Sequence, residues 1–306
     1  MATVARRRVS RFFEPHKLSG LEKMRFTTPR RVEGAYSGRH PAKRLGGAGE
    51  FVDYREYTPG DDLRRVDWRV MGRMERAYLK LFQDETDLSC TLVLDVSGSM
   101  LQGCQSFGNN RGSKLEWMQY FATALSHLIV LDRDAVGLAL VSESLLSYYQ
   151  PSSAYQHRLV LHEQVEKLKP TGKSHLAEGL DQLLLRVRRR GVLLVISDFL
   201  VESRDRLVAS LRKFRSRGWE VIALHLIHPD EQRLPEGLAF RFFGLEGDGL
   251  VDCQLAEVRR EYQERFATHL AATRAALLGT GCDYHRASTA ESYLDVLRSF
   301  LVLRSA

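Results

Sequence analysis

The sequence predicts an α/β protein, a doubly wound and mostly parallel sheet with a smaller β-rich N-terminal region. Two observations carry this prediction. From Thr91 onward, short apolar runs alternate with longer stretches of helical periodicity, the pattern of successive βαβ units. The apolar runs are rich in Val, Ile and Leu, as expected of parallel strands buried on both faces. The first ninety or so residues instead carry scattered Gly and Pro and are basic at the start.

The predicted elements follow in order along the chain. Strands are expected from residue 91 and over residues 135–141, 192–197, 220–227 and 282–285. Helices are expected over residues 114–130, 158–168, 176–190, 204–217, 258–278 and 291–303. A hairpin is expected from two short strands, 240–243 and 250–252, bridged by Gly247 and Gly249. The arginines at 188–190, followed by Gly191, are interpreted as the last turn and C′ residue of a helix.

The N-terminal part divides into two predicted regions. Residues 1–19 form a basic tail, residues 20–88 a β-rich region, and residues 89–306 the α/β domain. A helix is expected over residues 17–25 and a strand over residues 77–82. Between these two elements, residues 50–68 are rich in charged and aromatic side chains and contain a predicted turn, Thr58-Pro-Gly-Asp61. We expect these charged residues to form an ion-pair network that packs this region internally, rather than to bind a partner directly.

Composition narrows the class of protein. The chain has 306 residues, 44% hydrophobic and 27% charged, which fits one large or two small globular domains. Its apolar runs fall short of the ~20 residues of a membrane span, and no apolar stretch follows the N-terminal arginines. The four cysteines have no paired spacing, so reduced thiols and a cytoplasmic location are expected.

The net charge of +7 raises nucleic-acid binding as an alternative function. The basic residues, however, are spread through the chain and usually alternate with Asp or Glu. This pattern favours a solvated surface with a mild excess of positive charge.

Oxygen-bearing side chains follow three of the predicted strands and loops. The strand from residue 91 ends in Asp95, Ser97 and Ser99, and the strand over residues 192–197 is followed by Asp198. The loop before the helix at residue 176 supplies Ser174, with Thr171 as its alternate. Ligands of open α/β sheets bind beyond the carboxyl ends of the strands, and hard oxygen donors suit Mg²⁺ or Mn²⁺. A simple turn with a helix cap is the competing interpretation of Asp95, because Asp and Ser also favour caps.

These motifs resemble the metal-ion-dependent adhesion site of von Willebrand factor A domains, which uses Asp-x-Ser-x-Ser, a Thr and an Asp from three loops. The chain further resembles the bacterial family of unknown function number fifty-eight from about residue 18 onward. That resemblance rests on Glu50-Phe51, Arg55-Glu-Tyr-x-Pro-Gly-Asp-Asp62, Arg64 and Val66-Asp-Trp68. It implies a metal site open to a partner's Asp or Glu carboxylate, no established enzymatic activity, and association with a MoxR-type AAA+ ATPase. Ser174 stands where the family has Thr, and His175 where it has Asp.

Three alternatives to a binding module are a nucleotide-binding loop, a Mg²⁺-dependent hydrolase and an aspartyl-phosphate mechanism. Thr171 to Ser174 matches the end of a Walker A loop, but Lys167 stands where its first Gly is required. A Mg²⁺-dependent hydrolase would need a positioned base or a second metal, and none is identifiable. An aspartyl-phosphate mechanism lacks a second acid two residues after Asp95. The sequence thus favours a non-enzymatic, metal-dependent interaction adaptor, with the hydrolase as the alternative.

Overall fold

The computed structural model describes residues 10–27, 37–44, 50–57, 67–74, 76–86, 88–104, 112–234, 239–247 and 249–305. The chain forms two compact units. The larger unit comprises Met1–Phe26 and Ser89–Ala306, and the smaller one Thr27–Leu88. The sequence-based division placed the start of the β-rich region at residue 20, seven residues before the start of the smaller unit.

The larger unit is built on a six-stranded sheet. Its strands are β4 (Ser89–Asp95), β5 (Ala135–Val141), β6 (Leu145–Ser152), β7 (Val192–Ser197), β8 (Glu220–Ile227) and β11 (Asp283–Ser288). Their order is β11-β8-β7-β4-β5-β6, and every pair is parallel except β5 with β6. The predicted mostly parallel sheet is therefore confirmed. A separate antiparallel hairpin pairs β9 (Ala239–Phe243) with β10 (Leu250–Gln254).

Helices cover both faces of this sheet. They are α1 (Pro15–Leu18), α3 (Lys114–Leu131), α4 (Tyr155–Glu166), α5 (Leu176–Arg186), α6 (Arg204–Ser216), α7 (Pro229–Gln232), α8 (Leu255–Gly279) and α9 (Tyr293–Ser305). Successive residues of a strand point to opposite faces of the sheet, so apolar side chains on both faces bury against helices. In β7, Leu193 and Val195 pack with α5 and α6, whereas Leu194 and Ile196 are equally buried on the side of α3. Within the described residues, no helix combines the length and apolarity that crossing a bilayer requires.

The topology fixes where a ligand site can form. β4 lies in the middle of the sheet, with β5 on one side and β7 on the other. Because the chain leaves β4 for β5 and later returns to the opposite side, the loops after β4 and β7 diverge at the carboxyl edge. Such a switch point opens a crevice in which open α/β sheets bind ligands.

The smaller unit contains a three-stranded antiparallel sheet and a short helix. The strands are β1 (Ser37–Arg44), β2 (Glu50–Glu56) and β3 (Tyr78–Thr86), in the order β1-β3-β2. The helix α2 (Trp68–Met74) was not predicted, because seven residues give too short a stretch for a periodic signal. The turn at residues 58–61 and the charged residues Asp61, Asp62 and Arg64 lie outside the described residues.

Three sequence-based predictions of elements need correction. The helix expected over residues 17–25 is the single turn α1, after which the chain continues without regular structure. The edge strand β6 was missed, because its half-exposed side chains lack a clean alternation. The helix α5 ends at Arg186, so Arg188–Arg190 do not belong to its last turn. Gly191 is not a C′ residue but closely approaches Ser89, whose carbonyl oxygen would lie 2.2 Å from an added Cβ.

The segment before the smaller unit packs on the larger one. The Phe12 ring meets Tyr120 of α3 edge-on at 5.0 Å between centroids. Phe26 stacks on Phe300 of α9 at 5.8 Å. Both phenylalanines are fully buried, so the first described residues belong to the α/β core rather than to a free tail.

Candidate metal centre

The first loop of the site starts where β4 ends. Oδ1 of Asp95 accepts a hydrogen bond from the Ser97 amide at 3.0 Å, an Asx-type turn that fixes the loop. A 3₁₀ helix, Gly98–Leu101, follows directly. The hydroxyls of Ser97 and Ser99 lie 3.0 Å apart. One carboxylate and two hydroxyls are thus held together, and all three side chains are buried.

The second loop brings Ser174 to the same carboxylate. The Ser174 hydroxyl donates to Oδ2 of Asp95 at 2.9 Å. Thr171 contributes its main chain, since its amide donates to the Val96 carbonyl at 3.0 Å and its carbonyl accepts from the Ser142 hydroxyl. Of the two candidates in this loop, Ser174 is therefore the one whose hydroxyl contacts Asp95. Its role as a metal ligand stays a prediction.

The third loop follows β7. The hydroxyl of Ser197, the last residue of that strand, donates to Oδ2 of Asp95 at 2.6 Å and accepts from the Phe199 amide at 2.8 Å. Asp198 comes next, and its carboxylate is hydrogen-bonded to the side chain of Ser99. Phe199 has a φ of 53°, a strained conformation for a bulky side chain, directly beside the candidate ligand. The five predicted side chains are thus linked into one network through Asp95 and Ser99.

A lysine that the sequence analysis did not single out completes this network. Nζ of Lys114, at the start of α3, lies 2.5 Å from Oδ2 of Asp198 and 2.5 Å from Oε1 of Glu231. The Lys114 side chain is fully buried. Glu231 is itself held by α7, because its Oε2 accepts from the His228 amide in a capping box.

The family model described as "Protein of unknown function DUF58" matches residues 53–272. The chain belongs to this family. It is 26% identical over 280 residues to the uncharacterised proteins Rv1480 of Mycobacterium tuberculosis and Mb1516 of Mycobacterium bovis. Those matches cover 88% of this chain and 83% of each relative.

Solved structures similar to this DUF58 protein share little of its sequence. The conserved hypothetical protein BatB from Bacteroides thetaiotaomicron is 17% identical, with a TM-score of 0.47 over 71% of this chain and 98% of BatB. The SpRpn10 VWA domain is 13% identical, with a TM-score of 0.42 over 70% and 94%. The manganese-loaded TRAP protein of Plasmodium vivax is 15% identical, with a TM-score of 0.38 over 70% and 73%.

The charges at the DUF58 site do not balance. Burial raises the pKa of the Asp95 carboxyl, and the neighbouring Asp198 carboxylate raises it further. Burial would also raise the pKa of Asp198, but the Lys114 ammonium outweighs it and holds that pKa below its ordinary value. Burial alone would lower the pKa of Lys114, whereas Asp198 and Glu231 together raise it. One ammonium therefore faces two carboxylates, and within the described residues Asp95 receives hydrogen bonds but forms no ion pair.

This donor set fits a hard divalent cation. The residues around Asp95 offer carboxylate and hydroxyl oxygens, the ligands that Mg²⁺ and Mn²⁺ prefer. Within the described part of the chain, no group of three or more His, Cys, Asp or Glu side chains is arranged to hold a metal. A site here would accordingly depend on serine hydroxyls and water rather than on a cage of carboxylates. The surplus of negative charge is what an added cation would neutralise.

The hairpin β9–β10 contacts the first loop of the site. The Ser99 amide lies 3.4 Å from Oε1 of Glu246, in the loop that joins the two strands. Gly98 allows this close approach, because an added Cβ would lie 2.1 Å from the Leu245 carbonyl oxygen. Glu246 is partly exposed, whereas the five predicted ligands behind it are buried. Burial raises the pKa of the Glu246 carboxyl, and Asp198 and Asp95 add to that rise.

The charged block at residues 50–68 is described only in part. Asp67 lies at the start of α2, where its Oδ1 is 3.4 Å from the Val70 amide and its carbonyl accepts from the Met71 amide. Its own amide donates to the Tyr78 carbonyl of β3 at 2.9 Å. These contacts give Asp67 a role in the internal structure of the smaller unit. Trp68 beside it is 61% exposed.

Proposed function

We infer that this protein is a non-enzymatic, metal-dependent protein-interaction module. The observation that carries the inference is the buried Asp95 carboxylate, surrounded by hydroxyls from three loops and by a surplus of negative charge. Asp95, Ser97, Ser99, Ser174 and Asp198 would hold Mg²⁺ or Mn²⁺ at the carboxyl edge of the sheet. A cation bound there would supply an electrophilic centre for an incoming Asp or Glu carboxylate.

The side chains of the chain have distinct roles in this proposal. Asp95 anchors the three loops, since it accepts from Ser97, Ser174 and Ser197 at once. Lys114 pairs with both Asp198 and Glu231 and offsets part of their charge, which helps the loops to converge without metal. A partner that presents a carboxylate at the site fits this arrangement. The proposed partner is a MoxR-type AAA+ ATPase, and this proposal rests on the family resemblance alone. The proposed location is the cytoplasm, because the four cysteines form no disulfide.

Metal binding is tested by titrating Mn²⁺ and Mg²⁺ into the purified chain in a calorimeter. We expect one bound cation for the wild type and none for Asp95→Ala, with the circular dichroism spectrum unchanged. Asp295→Ala is the matched control, because this aspartate is exposed in the first turn of α9, away from the site. Equal binding by Asp95→Ala and the wild type would remove the site assignment.

Partner binding is tested separately, with the MoxR-type ATPase of the same organism as the probe. Capture should require divalent metal and should fail for Asp95→Ala and Asp198→Ala. Capture that survives EDTA but is lost in Asp67→Ala, with the fold retained, would move the binding surface to the smaller unit.

A Mg²⁺-dependent hydrolase is the second candidate, and one observation favours it. Glu246 is a partly exposed carboxylate beside Ser99, with a raised pKa, and such a group can act as a general base. Turnover of a phosphoester panel that is lost in Asp95→Ala would support this candidate. A salt-dependent mobility shift with DNA or RNA would instead support nucleic-acid binding.

A further inference from the structure

Glu246 is placed where an incoming carboxylate would have to enter the site. Its side chain reaches Ser99, which also bonds to Asp198 and lies 3.0 Å from the Ser97 hydroxyl. The carboxylates and hydroxyls on the inner side of the site are buried in the loops after β4 and β7 and before α5. Glu246 comes from the hairpin and, unlike the buried set, is partly exposed.

The chemistry of Glu246 is that of a metal ligand. An ionised carboxylate has two oxygens and about four lone-pair sites, so the contact with Ser99 leaves capacity for a cation. The Glu246 carboxylate lies beside Ser99, one of the five predicted ligands, with its Oε1 3.4 Å from the Ser99 amide. A carboxylate beside other carboxylates is attracted to a cation that binds among them.

The hairpin that carries Glu246 is weakly attached to the body of the protein. Its antiparallel strands pair with each other and stay outside the six-stranded sheet. Four of its apolar side chains are 42–60% exposed, namely Phe243, Leu245, Leu250 and Val251. Beneath it lies a cavity of about 550 Å³, lined by Phe242 and Cys253 of the hairpin and by Tyr262 of α8. Most of the described side chains of the hairpin are exposed, and the displacement of such an element costs little free energy.

We propose that Glu246 is a displaceable internal ligand of the metal centre, which occupies the coordination position that a partner's carboxylate takes. The proposal rests on the metal site inferred above. In this proposal, Glu246 keeps carboxylates in solution that bind the cation weakly from reaching it. The exposed side chains Phe243, Leu245 and Leu250 beside Glu246 offer apolar surface to the same partner. The partner class is thus an acidic segment flanked by apolar residues.

Water-proton relaxation with bound Mn²⁺ tests this assignment directly, because it counts the exchangeable waters on the cation. The probe is Mn²⁺ alone, added to the full chain and to Glu246→Ala. Glu202→Ala is the matched control, since Glu202 is a 72% exposed carboxylate in the loop after β7, 3.9 Å from Lys173. Circular dichroism and thermal melting check that all three proteins are folded.

We expect Glu246→Ala to gain one exchangeable water per bound Mn²⁺ and to bind Mn²⁺ at least about tenfold more weakly, the loss typical of removing even an outer-shell partner. Glu202→Ala should match the wild type in both respects. Unchanged relaxivity in Glu246→Ala overturns the proposal, whatever the affinity does, because an electrostatic effect alone adds no water. If the wild type itself binds no Mn²⁺, the metal site fails first, and the proposal for Glu246 fails with it.

Discussion

The ammonium of Lys114 and the carboxylate of Asp198 form an ion pair of 2.5 Å inside the α/β unit, although the two residues are 84 positions apart in the chain. Neither side chain is more than 2% exposed. The same ammonium binds Glu231, so a single buried cation links the loop after β7 to α7. Removing one member of a buried ion pair leaves the other charge buried without compensation. The loss of Lys114 should therefore lower the free energy of unfolding strongly.

Lys114→Met should therefore destabilise the protein strongly. The variant keeps the volume of the side chain but leaves Asp198 and Glu231 buried without their cation, at a cost of about 3–5 kcal/mol. Urea unfolding at neutral pH measures this loss. Lys213→Met is the control, because its pair with Asp181 has a similar length of 2.7 Å but is 51% and 43% exposed, so its loss should stay within about 1 kcal/mol. Equal losses would contradict the assignment of the Lys114 pair as buried.

Gly179→Ala should disturb the second loop of the site. In α5, an added Cβ would lie 2.2 Å from Cγ1 of the buried Val141 in β5, so the helix would have to move. Overpacking of this kind costs about 1–3 kcal/mol, despite the better helix propensity of Ala. Since Ser174 precedes α5 directly, Mn²⁺ affinity should fall together with the melting temperature.

Gly279→Ala at the end of α8 is the matched control for this substitution. Outside the helix's own backbone, no described atom lies within 4 Å of the added Cβ there, so stability should match or slightly exceed that of the wild type and Mn²⁺ affinity should not change. A control that loses as much as Gly179→Ala would show that the effect comes from the glycine backbone rather than from Val141.

His162 should make the stability of the fold depend on pH. Burial lowers the pKa of this histidine to about 3, and the charge of Arg158 adds to that effect. The unfolded chain binds the proton near pH 6.5, so the stabilisation is complete above that pH and is lost as the pH falls from 6.5 towards 3. Between pH 7 and pH 5 the loss from this one group should be about 2 kcal/mol.

His162→Gln removes the proton site while keeping a polar group near the Ser126 hydroxyl, which lies 3.1 Å from Nε2 of the histidine. Urea unfolding of the variant should lose less stability between pH 7 and pH 5 than the wild type does. The exposed His16→Gln serves as control and should follow the wild type. A His162→Gln profile parallel to that of the wild type would show that His162 is protonated in the folded state.

Asp67→Ala should loosen α2 without affecting metal binding. Removal of the carboxylate costs the helix about 1 kcal/mol, the usual worth of an N-terminal cap. Hydrogen exchange of the Val70 amide, 3.4 Å from that carboxylate, should then become about fivefold faster. A protected amide with unchanged exchange would exclude the capping role of Asp67.

The sequence by itself determined most of the sheet, most of its helices and the three loops of the candidate site. These follow from local patterns, because apolar runs and 3.6-residue periodicity report directly on burial. The same patterns failed where burial is incomplete or the element is short, as in β6 and α2. They also misplaced the end of α5, since arginines at 188–190 resemble a helix terminus in sequence while the backbone had already left the helix at Val187.

Only the tertiary structure decided which side chains meet at the site. Asp95, Ser97 and Ser99 are neighbours in sequence, but Ser174 and Ser197 reach Asp95 from 79 and 102 positions away. Lys114, Glu231 and Glu246 carried no local signal, because a lysine after a helix cap or a glutamate in a hairpin is ordinarily a surface residue. Their charges acquire a role through burial and through contacts 84, 117 and 147 positions apart. Such long-range electrostatics depend on the folded geometry, which no local pattern in the sequence encodes.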